Sequence, residues 1–197
     1  MASDERTRGT PRRKWLPLVA LVLVVDAIGG WLYYRWQREH SQDAVIRAAA
    51  QRYGVDGALV KAVVWRESGF KPEVRGKAGE IGLMQVRESA ALEWAAAEHL
   101  PSFHHEHILD PGSNTLAGTW YLAKLLRRYP KTDDPVAYAL ADYNAGRANV
   151  LRWNQGAAAT NSQQFLAQMT FPGTRRYIEA ITKRRTRYRD DFPPAIR

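Results

Sequence analysis

The carboxyl group in the most distinctive sequence context is that of Glu67. Residues 56–68, DGALVKAVVWRES, have a helical pattern, and on a helix Glu67 shares a face with Val60, Val63 and Val64. A carboxyl group on such a stripe loses water, and desolvation raises its pKa toward neutral pH. A carboxyl that stays protonated there can serve as a general acid. The same position also suits a buried glutamate paired with an arginine, or one that reaches solvent at the helix end.

The composition limits which other chemistry is available. The 197 residues include no cysteine, which excludes disulfides, thiol nucleophiles and thiolate metal sites. Catalysis must therefore use carboxylates, hydroxyls, imidazoles or amides. With 45% hydrophobic and 25% charged residues the chain can bury a core, and its formal net charge of +9 favours a polyanionic partner. Nucleic acid, anionic lipid and anionic cell-wall polymer all fit that charge.

The histidine-rich segment and the glycines do not predict a cofactor site. The HHEH run at 104–107 lacks the i, i+4 histidine pair of H-E-x-x-H zinc sites, so a polar loop is the better interpretation. No phosphate-binding glycine motif occurs, and no nucleic-acid-binding motif accompanies the positive charge. We expect no metal, no cofactor and no nucleic-acid partner.

An N-terminal apolar segment predicts a membrane anchor. Residues 15–34, WLPLVALVLVVDAIGGWLYY, have the length of a bilayer-spanning helix, with aromatic residues at both ends. Asp26 is the one carboxylate within it and could contact a partner in the bilayer. The basic residues of 1–14 favour a cytoplasmic N-terminus, and residues 35–41 read as a linker. The segment has no small-residue cleavage site, so we expect it to be retained.

The remaining residues, 42–197, form one predicted domain that is mainly α. Helical patterns separated by Gly and Pro predict helices at Gln42–Tyr53, Asp56–Ser68, Glu88–His99, Gly112–Tyr129, Pro135–Asn144 and Thr174–Tyr188. The Gly-rich segment Glu73–Val86 predicts a small hairpin or an irregular loop.

Four short blocks in this domain resemble those of the lytic transglycosylases of the soluble-transglycosylase (SLT) type. In chain order they are Glu67-Ser68 with Gly69-Phe70-Lys71-Pro72, Gly82-Leu83-Met84-Gln85-Val86, Asp110-Pro111 with Asn114, Gly118 and Tyr121-Leu122, and Tyr143-Asn144-Ala145-Gly146. Residues 174–178, TRRYI, resemble the family's TRxYV. Each block is weak alone, but four at matching spacing are specific.

The resemblance implies a lysozyme-like α+β fold with a small β element, and a reaction on peptidoglycan glycan strands. In this family a single glutamic acid protonates the glycosidic oxygen between N-acetylmuramic acid and N-acetylglucosamine. It then accepts the proton of the muramoyl C6 hydroxyl, which closes to a 1,6-anhydro product. The resemblance assigns this role to Glu67 and assigns substrate contacts to Ser68, Met84, Gln85, Tyr143, Asn144 and Tyr177.

Several of these residues also have structural interpretations. Ser68 could help to end its helix, and Met84 could pack in the core or cover the sugar. Tyr143 shares a helix face with apolar residues and could be a core tyrosine, while Asn144 could be a helix terminator. Their residue types leave both interpretations open.

The chain also departs from the family pattern near the expected cleft. Gly76 stands where many members have serine, Glu80 replaces the alanine of a Gly-Ala pair, Arg87 replaces a methionine, Asp142 replaces the first alanine of AYNAG, and Gly173 replaces the glutamate of ETR. The acid is kept while the residues around it are changed. We therefore expect altered substrate contacts.

Two other functions fit the same domain. A muramidase would hydrolyse the same bond and needs a second carboxylate. Goose-type lysozymes carry an Asp directly after GLMQV, where this chain has Arg87, and Glu73, Glu80 and Glu88 look like solvated loop or helix-start residues. A non-catalytic wall-binding module that positions an envelope assembly is the second alternative. The leading hypothesis is a lytic transglycosylase anchored in the cytoplasmic membrane, with its catalytic domain outside.

Overall fold

A computed structural model describes residues 15–193, and the chain divides into two compact units, Met1–His40 and Ser41–Arg197. The predicted basic segment 1–14 and the last four residues of the predicted domain lie outside the described residues.

The first unit contains helix α1, Leu16–His40. Its 25 residues span about 37 Å at 1.5 Å per residue, enough to cross a bilayer core of about 30 Å. None of its residues is buried, and large apolar side chains such as Leu21 and Val24 are exposed. Within residues 15–193 it is the one helix whose length and hydropathy suit a membrane crossing, properties that signal sequences share.

Residues 35–40, expected to be part of a linker, continue α1. No Gly or Pro occurs in residues 31–53, so neither residue type stops the helix before His40. Side chains four residues apart also pack on each other, with the Arg35 guanidinium 4.8 Å from the Trp31 ring and the rings of Trp36 and His40 4.9 Å apart. Residues 35–40 of the predicted linker are therefore helical.

The second unit is a helical domain. Its α-helices are α2 Asp43–Tyr53, α3 Gly57–Ser68, α4 Glu88–Ala97, α5 Pro111–Arg128, α6 Pro135–Ala145, α7 Arg147–Trp153, α8 Ser162–Gln168 and α9 Pro172–Tyr188. Short 3-10 helices cover His105–Leu109 and Gly156–Ala159. All six predicted helices are present, with ends within two residues of the predicted ones. Helices α7 and α8 were not predicted, because seven residues give too short a pattern to stand out.

Helix α3 lies at the centre of the domain and carries Glu67 near its C-terminal end. It packs against α2 and α9, and every residue from Ala58 to Val64 is buried. The Asp56 side chain caps its first turn by accepting from the Ala58 N–H at 2.9 Å. Gly69, at φ 58°, ends it with a left-handed turn. Because both ends are fixed, the position of Glu67 is set by the core.

Lys61 is buried although it lies on the opposite side of α3 from the valine stripe. Its ammonium group lies 2.8 Å from Asp43 of α2 and 3.5 Å from Asp191. It also approaches the ring centroids of Tyr188 and Phe192 to 4.8 and 5.1 Å. The segment after α9 therefore covers this side of α3, and the helix is enclosed on all sides.

The Gly-rich segment between α3 and α4 is an irregular loop. It contains two isolated antiparallel bridges, Arg75 with Ile81 and Ile81 with Val86. The small β element that the family resemblance implies is thus limited to single bridges in the described residues. The loop places residues 80–87 beside the C-terminal end of α3.

Candidate active site

A cavity of about 460 Å³ lies beside the C-terminal end of α3. Its walls include Glu67 from α3, Gln85 from the irregular loop, Tyr121 from α5, and Tyr143 and Asn144 from α6. The volume is in the range of sites that bind small ligands or a few sugar units. The fold therefore brings all four sequence blocks to one place, with the acid in its wall.

Glu67 is held by a tyrosine from the last helix. Tyr177, 2% exposed, donates its hydroxyl hydrogen to Oε1 of Glu67 at 2.5 Å. The Arg66 guanidinium lies 5.5 Å from the centre of the same tyrosine ring. Tyr177, predicted to contact substrate, thus contacts the Glu67 carboxyl group.

The site raises the pKa of Glu67 above its ordinary value of 4.5, as its place on an apolar stripe predicts. Burial is the largest cause, because it disfavours the charged form. The hydrogen bond from Tyr177 and the charge of Arg66 act in the opposite direction, and the negative charge of Glu80 raises the pKa further. The result is a carboxyl group that keeps its proton closer to neutral pH, as a general acid requires.

Two tyrosines form one wall of the cavity. Tyr143 donates its hydroxyl hydrogen to the backbone carbonyl of Met84 at 2.8 Å, and its ring lies 5.7 Å from that of Tyr121. Burial raises the pKa of Tyr143 well above its usual range, and the nearby Glu67 charge adds to this. Tyr143 therefore stays protonated and ties α6 to the irregular loop, while its half-buried ring borders the cavity.

Asn144 is exposed and offers one side of its amide to the cavity. Its Oδ1 accepts a hydrogen bond from the Thr174 hydroxyl at 2.9 Å, so its NH₂ group is the part that remains for a ligand. The helix continues through Asn144 and ends at Gly146, whose φ is 81°. Gly146, not Asn144, is therefore the helix terminator.

Asn114 organises the loop that carries Gln85. This fully buried side chain donates to the carbonyls of Ile81 and Ile108 at 2.9 and 2.8 Å, and accepts from the Met84 N–H at 2.8 Å. A Cβ atom on Gly82, which has φ 81°, would lie 2.0 Å from the Asn114 Nδ2 atom. Glycine is therefore required at position 82, which explains the pairing of these two family blocks.

Gln85 has strained backbone geometry, with φ 48°. Its side-chain NH₂ group donates to the carbonyls of Val74 and Gly82, both at 2.9 Å. Both amide hydrogens are thus used within the loop, and Oε1 is the acceptor it can offer to a ligand in the cavity.

Met84 and Ser68 do not lie where a substrate contact would place them. Met84 is fully buried, and a Cβ atom on Gly118 would come within 2.5 Å of its sulfur, so it fills the space left by that glycine. The Ser68 hydroxyl donates to the Val64 carbonyl at 3.1 Å within its own helix. The structure places neither side chain in the cavity wall, and it favours the core and helix-end interpretations.

Three of the departures from the family pattern are in contact with one another. Arg87 donates through Nε and Nη2 to Oε1 of Glu80, at 3.0 and 2.9 Å, and Oε2 of Glu80 accepts from the Ala78 N–H at 3.0 Å. A Cβ atom on Gly76 would lie 2.4 Å from that Oε2 atom. The absence of a side chain at position 76 thus makes room for the Glu80 carboxylate.

Glu80 and Arg87 both line the cavity, so the expectation that Glu80 is a solvated loop residue is wrong. Burial raises the pKa of Glu80, but hydrogen bonds from the backbone and from Arg87 outweigh it, and the net pKa is below its ordinary value. Glu80 is therefore an ionised carboxylate close to Glu67. Composition and helical periodicity gave no signal for it, because it lies in an irregular loop.

Asp142, another departure, is 2% exposed and borders the cavity next to Tyr143 in the chain. It accepts hydrogen bonds from Arg128 and from the Tyr129 hydroxyl, both at 2.6 Å, and Arg147 lies 4.0 Å away. Burial and this hydrogen bond raise the pKa of Tyr129 far above its usual range. The cluster fixes the end of α6 that carries Tyr143, and sequence reasoning did not foresee it.

The fold and the cavity define the class of protein. Residues 44–166 match the Transglycosylase SLT domain, so the chain belongs to this family, which confirms the resemblance seen in the sequence. Membrane-bound lytic murein transglycosylase C of Klebsiella pneumoniae is 36% identical over 124 residues, 59% of this chain and 34% of that protein. Membrane-bound lytic murein transglycosylase F of Desulfosudis oleivorans is 35% identical over 109 residues, 54% of this chain and 22% of that protein. The chain thus spans about a third or less of these relatives.

Solved structures confirm the mainly α fold. An inactive mutant of the lytic transglycosylase Slt of Pseudomonas aeruginosa has a TM-score of 0.68 at 22% identity. The match covers 78% of this chain and 25% of the Slt chain. The 70-kDa soluble lytic transglycosylase of Escherichia coli has a TM-score of 0.66 at 23% identity, covering 75% and 24%. At these identities the likeness is one of fold.

Proposed function

We propose that this chain is a membrane-anchored lytic transglycosylase that cleaves the bond between N-acetylmuramic acid and N-acetylglucosamine in peptidoglycan. The observation that carries the proposal is the state of Glu67: a half-buried carboxyl in the wall of a cavity, with a raised pKa and Tyr177 on one oxygen. Membership of the SLT family and the names of the relatives support the same substrate.

In the proposed reaction, Glu67 gives its proton to the glycosidic oxygen as the bond to the muramoyl C1 breaks. Its carboxylate then takes the proton of the muramoyl C6 hydroxyl, whose oxygen bonds to C1. The proton is returned, no water is consumed, and a 1,6-anhydro end is formed. One carboxyl group acts as acid and then as base, so no second catalytic carboxylate is needed.

The cavity also offers groups that suit the substrate's hydroxyl and N-acetyl groups. We assign acceptor contacts to Oε1 of Gln85, donor contacts to the NH₂ group of Asn144, and ring packing to Tyr143 and Tyr121. Tyr177 acts through Glu67 as a positioning residue.

Glu80 gives the muramidase alternative a specific basis, since it is a further carboxylate in the cavity wall, where Asp142 is held by Arg128 and Tyr129. Its two oxygens are engaged by Arg87 and the Ala78 N–H, and its lowered pKa makes it a weak base. This arrangement disfavours activation of a water molecule and supports the transglycosylase.

Mass spectrometry of peptidoglycan digested by the full chain in detergent tests the proposal. We expect products that end in the anhydro form, lighter by one water than hydrolysis products, and loss of cleavage in Glu67→Gln. Reducing muramic acid ends would establish a muramidase instead. If the wild type and Glu67→Gln bind peptidoglycan equally and neither cleaves it, the chain is a wall-binding module.

We further propose that α1 is a retained anchor in the bacterial cytoplasmic membrane, with the domain from residue 41 on the outer side. Its exposed apolar surface and length support this. Carbonate extraction should leave the full chain in the membrane fraction, and Leu21→Arg with Val24→Arg should release it. Protease added to spheroplasts should digest the domain; protection of the domain would reverse the orientation.

A further inference from the structure

Arg87 lies in the wall of the cavity that contains Glu67, at a position where the SLT-type pattern has an apolar methionine. Its side chain is 64% exposed although it is ion-paired, whereas that of Glu80 is 21% exposed. The carboxylate is therefore the covered partner and the guanidinium is the one that faces solvent.

The geometry of the pair leaves part of the guanidinium for another ligand. Glu80 takes Nε–H and one hydrogen of Nη2, both on its single oxygen Oε1. An arginine has five N–H donors, and Glu80 does not use all of them. Donors remain on the terminal edge of the guanidinium, which is formed by Nη1 and Nη2. That edge can bind a carboxylate through two parallel hydrogen bonds.

Gly76 and Ala78 hold this arginine in place indirectly. The Glu80 carboxylate occupies the space above Gly76, where a Cβ atom would come within 2.4 Å, and is fixed there by the Ala78 N–H. A fixed carboxylate limits the conformations of Arg87, which lowers the entropy lost when the arginine binds a ligand. The three departures thus form one unit that presents a cation to the cavity.

We propose that Arg87 binds a carboxylate of the glycan substrate and makes the site selective for carboxylate-bearing strands. The inference rests on the proposed function, which makes peptidoglycan the substrate. Peptidoglycan offers that group from two sources, the peptide stem and the lactyl group of stem-free muramic acid. The net charge of +9 of the chain favours the same polyanionic ligand.

Binding measurements in the Glu67→Gln full chain test the proposal without turnover. The ligands are soluble peptide-bearing glycan fragments, the same fragments freed of peptide by an amidase, and N-acetylglucosamine oligomers that carry no carboxylate. Adding Arg87→Met should weaken the binding of carboxylate-bearing fragments about five- to tenfold, which corresponds to the net value of roughly one hydrogen bond. Affinity for the N-acetylglucosamine oligomers should not change.

The pattern among the fragments identifies the source of the carboxylate. Loss with peptide-bearing fragments alone assigns the peptide stem. Loss with the peptide-free fragments alone assigns the lactyl group, whose carboxylate is free only after the stem is removed, and loss with both shows that Arg87 binds either carboxylate. Arg87→Lys, which keeps the charge but not the planar fork, should recover part of the affinity.

Arg75→Met is the matched control, because Arg75 forms a similar two-bond pair with Glu106 but is not part of the cavity wall. It should leave all affinities unchanged. Equal effects of Arg87→Met on all three ligands, or no effect on any, would overturn the proposal. Cleavage by the wild type is measured separately, so a failed enzyme assay with intact carboxylate selectivity would refute the proposed function alone.

Discussion

The Tyr177 hydroxyl donates a 2.5 Å hydrogen bond to Oε1 of Glu67 from a residue 110 positions further along the chain. Burial of Glu67 favours its protonated form, and this hydrogen bond favours the carboxylate. The two effects suit a group that must give up a proton and then take one back. The opposing contribution of each neighbour can be tested one at a time.

Tyr177→Phe should move the high-pH fall of glycan cleavage to higher pH. The hydroxyl lowers the pKa of Glu67, so its removal raises that pKa and the acid keeps its proton over a wider range. We also expect kcat to fall about tenfold, since the carboxyl loses a positioning contact. A pH profile of kcat measures both, with Tyr138→Phe, a buried tyrosine bonded to the Ala158 carbonyl, as the control. An unshifted high-pH limb would contradict this account of the site.

Glu80→Gln should move the high-pH fall of glycan cleavage to lower pH. The negative charge of Glu80 raises the pKa of Glu67, so replacing it with the neutral glutamine lowers the pKa of Glu67. Glu67 then loses its proton at a lower pH, and the high-pH decline of cleavage begins earlier. Arg87, relieved of its partner, adds to the effect. The measurement is again the pH profile, at low and moderate salt. A shift toward higher pH would mean that Glu80 acts on Glu67 through structure and not through charge.

Gly76→Ser should destabilise the domain by about 1–2 kcal/mol, because the new Cβ atom lies 2.4 Å from the Glu80 carboxylate. Glu80→Ala removes that obstacle, so the double variant should recover most of the loss, a coupling of about 0.5–3 kcal/mol. Chemical denaturation of the four proteins gives the cycle. Additive losses would show that position 76 and Glu80 are independent.

Lys61→Met should lower the free energy of unfolding by about 1–3 kcal/mol. The buried ammonium is paired with Asp43 and Asp191, which would lose this cation, although both carboxylates reach solvent in part. Lys124→Met is the comparison, since Lys124 pairs with Glu93 at the surface and should cost no more than about 1 kcal/mol. Equal losses in the two variants would indicate that burial of Lys61 has no special importance.

Glu67→Gln should abolish cleavage, a loss of about 10²–10⁴-fold for a general acid.

Glu67→Gln should also change the pH dependence of stability. The pKa of Glu67 is higher in the folded than in the unfolded chain, so its contribution to stability is present below 4.5 and is lost as pH rises through the raised value. The variant lacks this loss. It should therefore unfold at a higher temperature than the wild type at pH 7, with a smaller difference in acid; a lower melting temperature at pH 7 would refute a desolvated carboxyl.

Local patterns in the chain predicted the helices well and the irregular segment in outline. The stripe of Val60, Val63 and Val64 placed Glu67 on a buried face, and the structure gives that carboxyl a raised pKa. These features are local, since a 3.6-residue repeat fixes which side chains share a face. The C-terminal end of α1 and the short helices α7 and α8 were not predicted, because nothing in the local pattern marks them.

The sequence by itself determined the class of fold, the glutamate proposed as the acid and the segments that approach it, because helix periodicity and motif spacing are properties of the linear chain. Only the tertiary structure decided what surrounds the acid. Tyr177 reaches Glu67 from the last helix, Glu80 reaches Arg87 and the space above Gly76 within an irregular loop, and Lys61 is enclosed by the segment after α9. Such contacts depend on how distant segments pack, and the periodicity of the sequence does not predict them.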